Sequence, residues 1–160
     1  MKLKIFTTGG TIDKIYFDQK SEFQVGEPQI SELLREANIT FDFEVESIMR
    51  KDSLEMTDAD RQLIAEKIRT DAAERILLTH GTDTMVETAQ ALVGIEGKTI
   101  VLTGSMQPAR LRISDAIFNI GYAVAAAQMM PPGIYVAMNG QVFNPLHARK
   151  NVACHRFEVV

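Results

Sequence analysis

Two runs without a polar side chain, Ile76-Leu77-Leu78 and Ile100-Val101-Leu102, constrain this chain more than anything else in it. Strands this short, with no polar alternation, are expected where helices cover both faces of a parallel sheet. Each run leads into a polar loop with a glycine, His80-Gly81-Thr82-Asp83-Thr84 and Thr103-Gly104-Ser105. A helical pattern follows each loop: Val86, Ala89 and Val93 after the first, and Ile117, Ile120, Gly121 and Val124 after the second.

The same alternation runs through the rest of the chain. Leu3 to Thr7 reads as the first strand and ends in Thr8-Gly9-Gly10-Thr11-Ile12, where the glycines permit backbone angles closed to other residues and a close approach of ligand to main chain. The polar segment Asp13 to Glu27 is long for a connection and is expected to be a lid loop. Pro28 then opens a helix with Ile30, Leu33, Leu34 and Ala37 on one face. Phe41, Phe43 and Val45 alternate with acidic residues, as on an edge strand with one wet face, and lead to Lys51-Asp52-Ser53-Leu54-Glu55-Met56. Thr57 and Asp60 have capping-box spacing before a helix whose buried stripe is read as Leu63, Ile64 and Ile68. A last strand, Ile134 to Met138, ends at Asn139-Gly140, and His147 to Lys150 reads as a basic tail segment.

Strands alternating with helices, joined by right-handed crossovers, give a flavodoxin-like α/β fold. The expectation is one domain over residues 1–160, with an open parallel sheet of about five strands in the order 2-1-3-4-5 and helices on both faces. In that order strands one and three are neighbours whose outgoing loops diverge, so Thr11 and Thr82-Asp83 flank one crevice. The hydrophobic fraction of 46% against 24% charged residues is that of a globular domain. A net charge of −4 with no Lys/Arg block argues against a nucleic-acid or anionic-membrane partner and for a small ligand. The most apolar stretch, Ala116 to Pro132, contains Asn119, Gln128 and two prolines and is too short for a membrane span.

Two threonines, an aspartate and a lysine around one crevice suit acyl transfer. A hydroxyl attacks a carbonyl, main-chain N–H groups of a glycine loop hold the oxyanion, and a charged pair assists proton transfer. On spacing alone, capping is the commoner role for residues such as Thr11 and Asp83. Other chemistries lack their motifs: Gly9-Gly10 fits neither GxGxxG nor a phosphate loop, and Thr103-Gly104-Ser105-Met106-Gln107 is not a nucleophile elbow. His80, His147 and His155 lack metal-ligand spacing, so no metal is expected, and His80 reads as a hydrogen-bonded residue at a strand end.

Thr7-Thr8-Gly9-Gly10-Thr11-Ile12 and His80-Gly81-Thr82-Asp83-Thr84-Met85 resemble the two signature segments of the bacterial-type L-asparaginases. Asp52-Ser53-Leu54-Glu55-Met56, the Thr103 to Pro108 turn, and Val136 to Asn139 leading to Lys150 support the likeness, which covers the N-terminal domain of that family. The resemblance implies cofactor-free hydrolysis of L-asparagine to L-aspartate and ammonia through an acyl-enzyme. Thr11 matches the nucleophile, Thr82, Asp83 and Lys150 match the second threonine and its acidic and basic partners, and Ser53 matches the residue that holds the substrate carboxylate. Gly10 and Thr82 are expected, from their positions, to supply oxyanion N–H groups, and Asp83 also lies near the substrate's amino group.

The chain departs from that family at three points. Phe23 stands where the family has a catalytic tyrosine, so Tyr16 is the candidate to bring a hydroxyl to Thr11. Leu54 replaces a glutamine that contacts the substrate's amino group. The family's second domain has no counterpart here: either the sequence is a fragment, or a homodimer formed through the helix near Ala123 to Ala127 closes the pocket. Two alternatives stand beside the asparaginase reading: a non-catalytic amino-acid-binding module, and an amidase for another carboxylate-bearing amide such as glutamine or a succinyl amide. The single cysteine, Cys154, and the polar, lysine-interrupted start of the chain give a cytoplasmic expectation.

Overall fold

A computed structural model describes the chain from residue 1 to residue 160. Strand β1 (Lys2–Gly9) is followed by a pair of strands, β2 (Lys14–Phe17) and β3 (Glu22–Val25), then helix α1 (Ile30–Glu36), strand β4 (Asp42–Lys51) and helix α2 (Asp58–Thr70). Strand β5 (Arg75–Thr79), helix α3 (Met85–Ala91), strand β6 (Thr99–Thr103), helix α4 (Ala116–Met129) and strand β7 (Gly133–Met138) continue the alternation. Strand β8 (Gln141–Phe143) and the pair β9 (Ala148–Asn151) and β10 (Arg156–Val159) complete it.

The main sheet has the order β4-β1-β5-β6-β7-β8. Its first five strands are parallel and follow the expected 2-1-3-4-5 order, with β4 on the expected edge. The sixth, β8, was not expected: it pairs antiparallel with β7 around Asn139-Gly140, both at positive φ (54° and 73°) as a tight hairpin turn requires.

Side chains alternate across the central strands, and this divides the core in two. Ile76, Leu78, Ile100 and Leu102 pack with Ile64 and Ile68 of α2 and Ala89 of α3 on one face. Leu77 and Val101 pack with Ile30 and Leu34 of α1 and Ile120, Ala123 and Ala127 of α4 on the other. Lys4 is the buried cation of β1, meeting Glu44 at 2.8 Å, Glu46 at 3.0 Å and Asp71 at 3.5 Å. Burial pulls its pKa down, but hydrogen bonds and charge from these carboxylates outweigh that and raise it, keeping the ammonium charged. Helix α2 starts with the expected capping box, Thr57 and Asp60 each accepting the other's main-chain N–H. No helix is long and apolar enough to cross a membrane.

Several local readings change. The segment read as a lid loop is the β2–β3 hairpin, Lys14 opposite Val25 and Phe17 opposite Glu22. The residues read as a basic tail include strand β9, paired with β10. Helix α1 begins at Ile30 rather than at Pro28. Ala37 and Val93 are exposed because α1 ends at Glu36 and α3 at Ala91, before reaching them, and Leu63 and Ile117 because each lies about a quarter-turn or more from the stripe facing the sheet. Ala123, Ala126 and Ala127, read as lying on a subunit-facing surface, are instead buried against the sheet of their own chain.

Two buried titratable groups secure the loops leaving β1 and β5. Asp13 is 2% exposed; its Oδ1 accepts the Gln29 N–H at 2.9 Å, while Oδ2 has no partner. Burial pushes its carboxyl up to about 7, against the opposing effects of the Gln29 N–H and the Arg50 charge. His80, fully buried as a strand-end residue, bonds through Nδ1 to Gly81 O at 2.7 Å and through Nε2 to the Thr88 hydroxyl at 2.8 Å. That is the pattern of a neutral ring with its proton on Nδ1. Burial lowers its pKa from 6.5 to about 4 despite the Gly81 carbonyl.

The two groups act in opposite directions on stability. As pH falls from 6.5 towards 4, the unfolded chain protonates its histidine while folded His80 resists, so stability falls. As pH rises from 3.8 towards 7, the unfolded chain releases the Asp13 proton while the fold retains it, so stability again falls. Asp13→Asn keeps an acceptor for Gln29 and removes the buried charge. It should stabilise the protein by roughly 1–3 kcal/mol at pH 8 and change little at pH 4, measured by urea unfolding at both values. Ile68→Ala, which leaves a cavity between α2 and the sheet, should cost about 2–5 kcal/mol in the same assay.

Candidate active site

Three loops leave the C-terminal edges of adjacent strands β4, β1 and β5, and glycines let them touch. The register between β1 and β4 shifts after Thr7, so that Gly9 lies opposite Lys51. Gly9 and Gly10 then turn with φ of 94° and 88°. A Cβ on Gly10 would lie 2.4 Å from the Gly81 nitrogen, and a Cβ on Gly81 would lie 2.6 Å from the Ser53 Cβ and Oγ. The loops carrying Thr11, Thr82-Asp83 and Ser53 are therefore in direct contact only because two side chains are absent.

Thr11 is half-buried at the start of a short 3-10 turn, Thr11–Asp13, with Gly10 as its cap. Helix α3 has Thr84 as its cap residue, with no side-chain cap bond. Neither Thr11 nor Asp83 therefore fills the capping role that spacing alone favours.

Asp83 and Thr82 instead receive Lys150. This lysine extends from β9, and its Nζ donates to Thr82 Oγ1 at 2.8 Å and to Asp83 Oδ1 at 2.6 Å. The Lys150 side chain is 13% exposed and that of Asp83 38%, so the pair is shielded on one side and open on the other. The β9–β10 pair is held to the sheet through Asn139, whose Oδ1 accepts the Phe157 N–H at 2.8 Å directly opposite Lys150.

Ser53 is almost fully buried. Its Oγ accepts the Asp83 N–H at 3.2 Å and its carbonyl accepts the Thr84 hydroxyl at 2.7 Å, leaving the Ser53 proton free to donate. The Gly10 N–H donates to Lys51 O at 2.9 Å. That corrects its reading as an oxyanion donor, since the β1–β4 register shift has already engaged it. Thr82, 4% exposed, lies between β5 and α3, outside either element's ladder of main-chain bonds, with its N–H unengaged.

Tyr16 is half-exposed on β2, its ring edge-on against Phe23, its cross-strand partner, at 5.5 Å. The structure thus groups Thr11, Ser53, Thr82, Asp83 and Lys150, and leaves the Tyr16 hydroxyl on the hairpin. Leu54 is 74% exposed.

Two supporting residues were missed from sequence. Asp115 accepts the N–H groups of Met106 and Gln107, and Asn119 donates to Gly104 O while accepting the Asn139 N–H. Together they hold the loop after β6 and the end of β7. The acidic residue before the apolar run of α4 was the available signal. Asp52, which precedes Ser53, pairs with Lys14 at 2.8 Å; hydrogen bonding to Lys14 holds its carboxyl below the usual carboxylate range. No group of three or more His, Cys, Asp or Glu side chains is placed to hold a metal ion.

Residues 2–158 match the family model described as Asparaginase, N-terminal. The chain is 34% identical over 137 residues to a glutaminase-asparaginase of Acinetobacter glutaminasificans, covering 80% of this chain and 39% of that one. It is 31% identical over 156 residues to L-asparaginase 2 of Escherichia coli, covering 89% and 44%. The thermostable L-asparaginase from Thermococcus kodakarensis superposes with a TM-score of 0.86 at 29% identity, covering 100% of this chain and 51% of that one. This chain therefore spans about two-fifths of the length of those curated relatives and half of the solved structure. In sequence and in fold, the chain belongs to the asparaginase family, whose N-terminal domain it matches from residue 2 to residue 158.

Proposed function

We propose that this chain is an amidohydrolase that converts L-asparagine to L-aspartate and ammonia through an ester on Thr11. The observation that supports it most is the Lys150 ammonium bonded at once to Thr82 and Asp83, beside a loop that glycine contact brings against Thr11. The names of its relatives, L-asparaginase and glutaminase-asparaginase, indicate the substrate class.

The chemistry follows from the donors. The Thr11 hydroxyl attacks the side-chain amide carbon, and negative charge develops on the amide oxygen. The unengaged Thr82 N–H is suited to receive that oxygen. Because Lys150 donates to Thr82 Oγ1, the Thr82 proton points away from the lysine and can be given to the departing nitrogen, with Lys150 replacing it. The proton that Thr11 loses on attack replaces the one given up by Lys150, ammonia leaves, and water attacks the ester in the same way, its proton replacing the one returned to Thr11 as L-aspartate is released. Asp83 keeps Lys150 directed at Thr82 and, with one oxygen unbonded to it, can also meet a substrate ammonium. Closure of the β2–β3 hairpin over the crevice, with Tyr16 and its partner Phe23 moving together, would let the Tyr16 hydroxyl relay the Thr11 proton toward Lys150.

A homodimer accounts for the outer face of α4, a helix with no charged residue. Ile117, Phe118 and Met129 are exposed on it, Tyr122 stacks on Phe118, and Ile113 precedes it at 85% exposed. These side chains present on the order of 500 Å² of apolar surface, a large part of the roughly 800 Å² per partner that a stable complex buries. An uncharged face with small Gly121 and Ala125 between large side chains suits a second copy of itself. The lone, exposed Cys154 is consistent with a reducing compartment such as the cytoplasm.

Purified wild type should release ammonia from L-asparagine, and Thr11→Ala and Lys150→Met should lower kcat by a factor of at least ~10³ while remaining folded. A folded wild type that releases none would favour an amino-acid-binding module. Tyr16→Phe should lower kcat with little change in KM; unchanged turnover would remove Tyr16 from the mechanism. Sedimentation should give a dimer that Phe118→Asp converts to monomer, and a monomeric wild type would contradict the α4 interface.

A further inference from the structure

Lys150 comes from outside the sheet whose loops carry Thr11, Ser53, Thr82 and Asp83. Strands β9 and β10 pair only with each other and share no ladder with the main sheet. The place of Lys150 is therefore set by whatever joins this ribbon to the rest of the protein. Ala148 and Phe157 belong to the core cluster that includes α2 and α3, with the Phe157 ring centred 6.4 Å from that of Phe143. Apolar contact of this kind holds the ribbon down but is not directional. Apart from the bonds of Lys150 itself, the hydrogen bond from these two strands to the sheet runs from the Phe157 N–H to Asn139 Oδ1, in the turn between β7 and β8, at 2.8 Å.

That bond acts almost directly on the lysine. Phe157 faces Lys150 across the ribbon. Because its N–H turns away from β9 to reach Asn139, the two residues form the closely spaced kind of antiparallel pair, with Cα atoms about 4.5 Å apart and side chains on one face. Lys150 thus leaves the ribbon beside the Phe157 ring, which is 2% exposed, and spans to Thr82 and Asp83. Asn139 is itself fixed through its main chain. Its N–H donates to Asn119 Oδ1 at 3.3 Å, and Asn119 Nδ2 donates to Gly104 O at 3.0 Å and to Asp115 Oδ2 at 2.9 Å. Two amide side chains in series therefore tie the ribbon to α4 and to the loop after β6.

We propose that Asn139 is a positioning residue for the reaction: its side-chain oxygen, acting through the Phe157 main chain, sets the point from which the Lys150 ammonium meets Thr82. This rests on the role given above to Lys150, which replaces the Thr82 proton. A competing account of Asn139 needs only its backbone. Asn-Gly is the common pair for a two-residue hairpin turn, and the φ of 54° is by itself a reason for asparagine there.

Asn139→Gly separates the two accounts, because glycine adopts that φ without strain and lacks the acceptor. Asn139→Asp keeps the oxygen. The setting of Lys150 is read without turnover, from the rate at which an amine-acetylating reagent labels it, with Lys67 on the outside of α2 as the internal reference and mass spectrometry as the readout. In wild type Lys150, 13% exposed, should react more slowly than Lys67, 48% exposed. Asn139→Gly should speed labelling of Lys150 several-fold and leave Lys67 unchanged. It should also lower kcat for L-asparagine by roughly tenfold or more with little change in KM, since a misplacement of about 1 Å is enough for such a loss. Asn139→Asp should return both readouts toward wild type. Wild-type labelling of Lys150 in Asn139→Gly, an unchanged kcat, or an equal loss in Asn139→Asp overturns the proposal. If wild type releases no ammonia, the hydrolytic reading fails, and the labelling still decides whether Asn139 sets the place of Lys150.

Discussion

The candidate site depends on one steric condition: the main chain at Gly10 lies against the main chain at Gly81. A single methyl group on Gly10 would meet the Gly81 nitrogen at 2.4 Å, closer than non-bonded atoms approach. Gly81 in turn has no room for a methyl group beside Ser53. The parallel order β4-β1-β5 supplies the coarse placement, since it delivers three loops to one sheet edge. Glycine supplies the last few ångströms, and with φ near 90° at Gly9 and Gly10 it also supplies a turn other residues resist. Backbone contact of this kind leaves few degrees of freedom, so the threonines and serine are positioned by the fold rather than by their own rotamers.

Around that contact the polar groups satisfy one another and still face outward. Lys150 with Asp83 and Lys14 with Asp52 are two unlike pairs, each partly exposed. Paired charges that keep some water cost little to hold in place. The fully buried polar groups nearby behave differently. His80 is neutral between Gly81 and Thr88, and Ser53 is held between Asp83 and Thr84, so they shape the loops without offering charge. The rigid elements underneath, α3 and the end of β5, are anchored in the larger of the two core clusters.

Much of this was legible in sequence, for identifiable reasons. The uninterrupted runs at Ile76 and Ile100 indicated the sheet type and its burial, and the glycine-threonine loops after β1 and β5 marked the candidate site. The β2–β3 hairpin was not legible, because Tyr16, Phe17 and Phe23 face solvent, and a hairpin without a buried face lacks the alternation that reveals a strand. The Asn139-Gly140 pair signalled a hairpin, but β8 is only three residues long and too short for a pattern. In α4 apolarity was evident and orientation was not. Small Ala123 and Ala127 let the helix approach Leu77 and Val101, while larger Phe118 and Met129 face out. The Gly10 N–H was misread because its acceptor, Lys51 O, reaches it only through a register shift that no local pattern announces.

Trapping the intermediate tests the central claim, that this half-length chain places a threonine nucleophile in a working crevice. Wild type quenched in acid during turnover of L-asparagine, then digested and mapped by mass spectrometry, should carry an aspartyl ester on the peptide containing Thr11 and on no other. Ammonia release with no ester at Thr11, or with an acyl group on a different residue, would contradict the account.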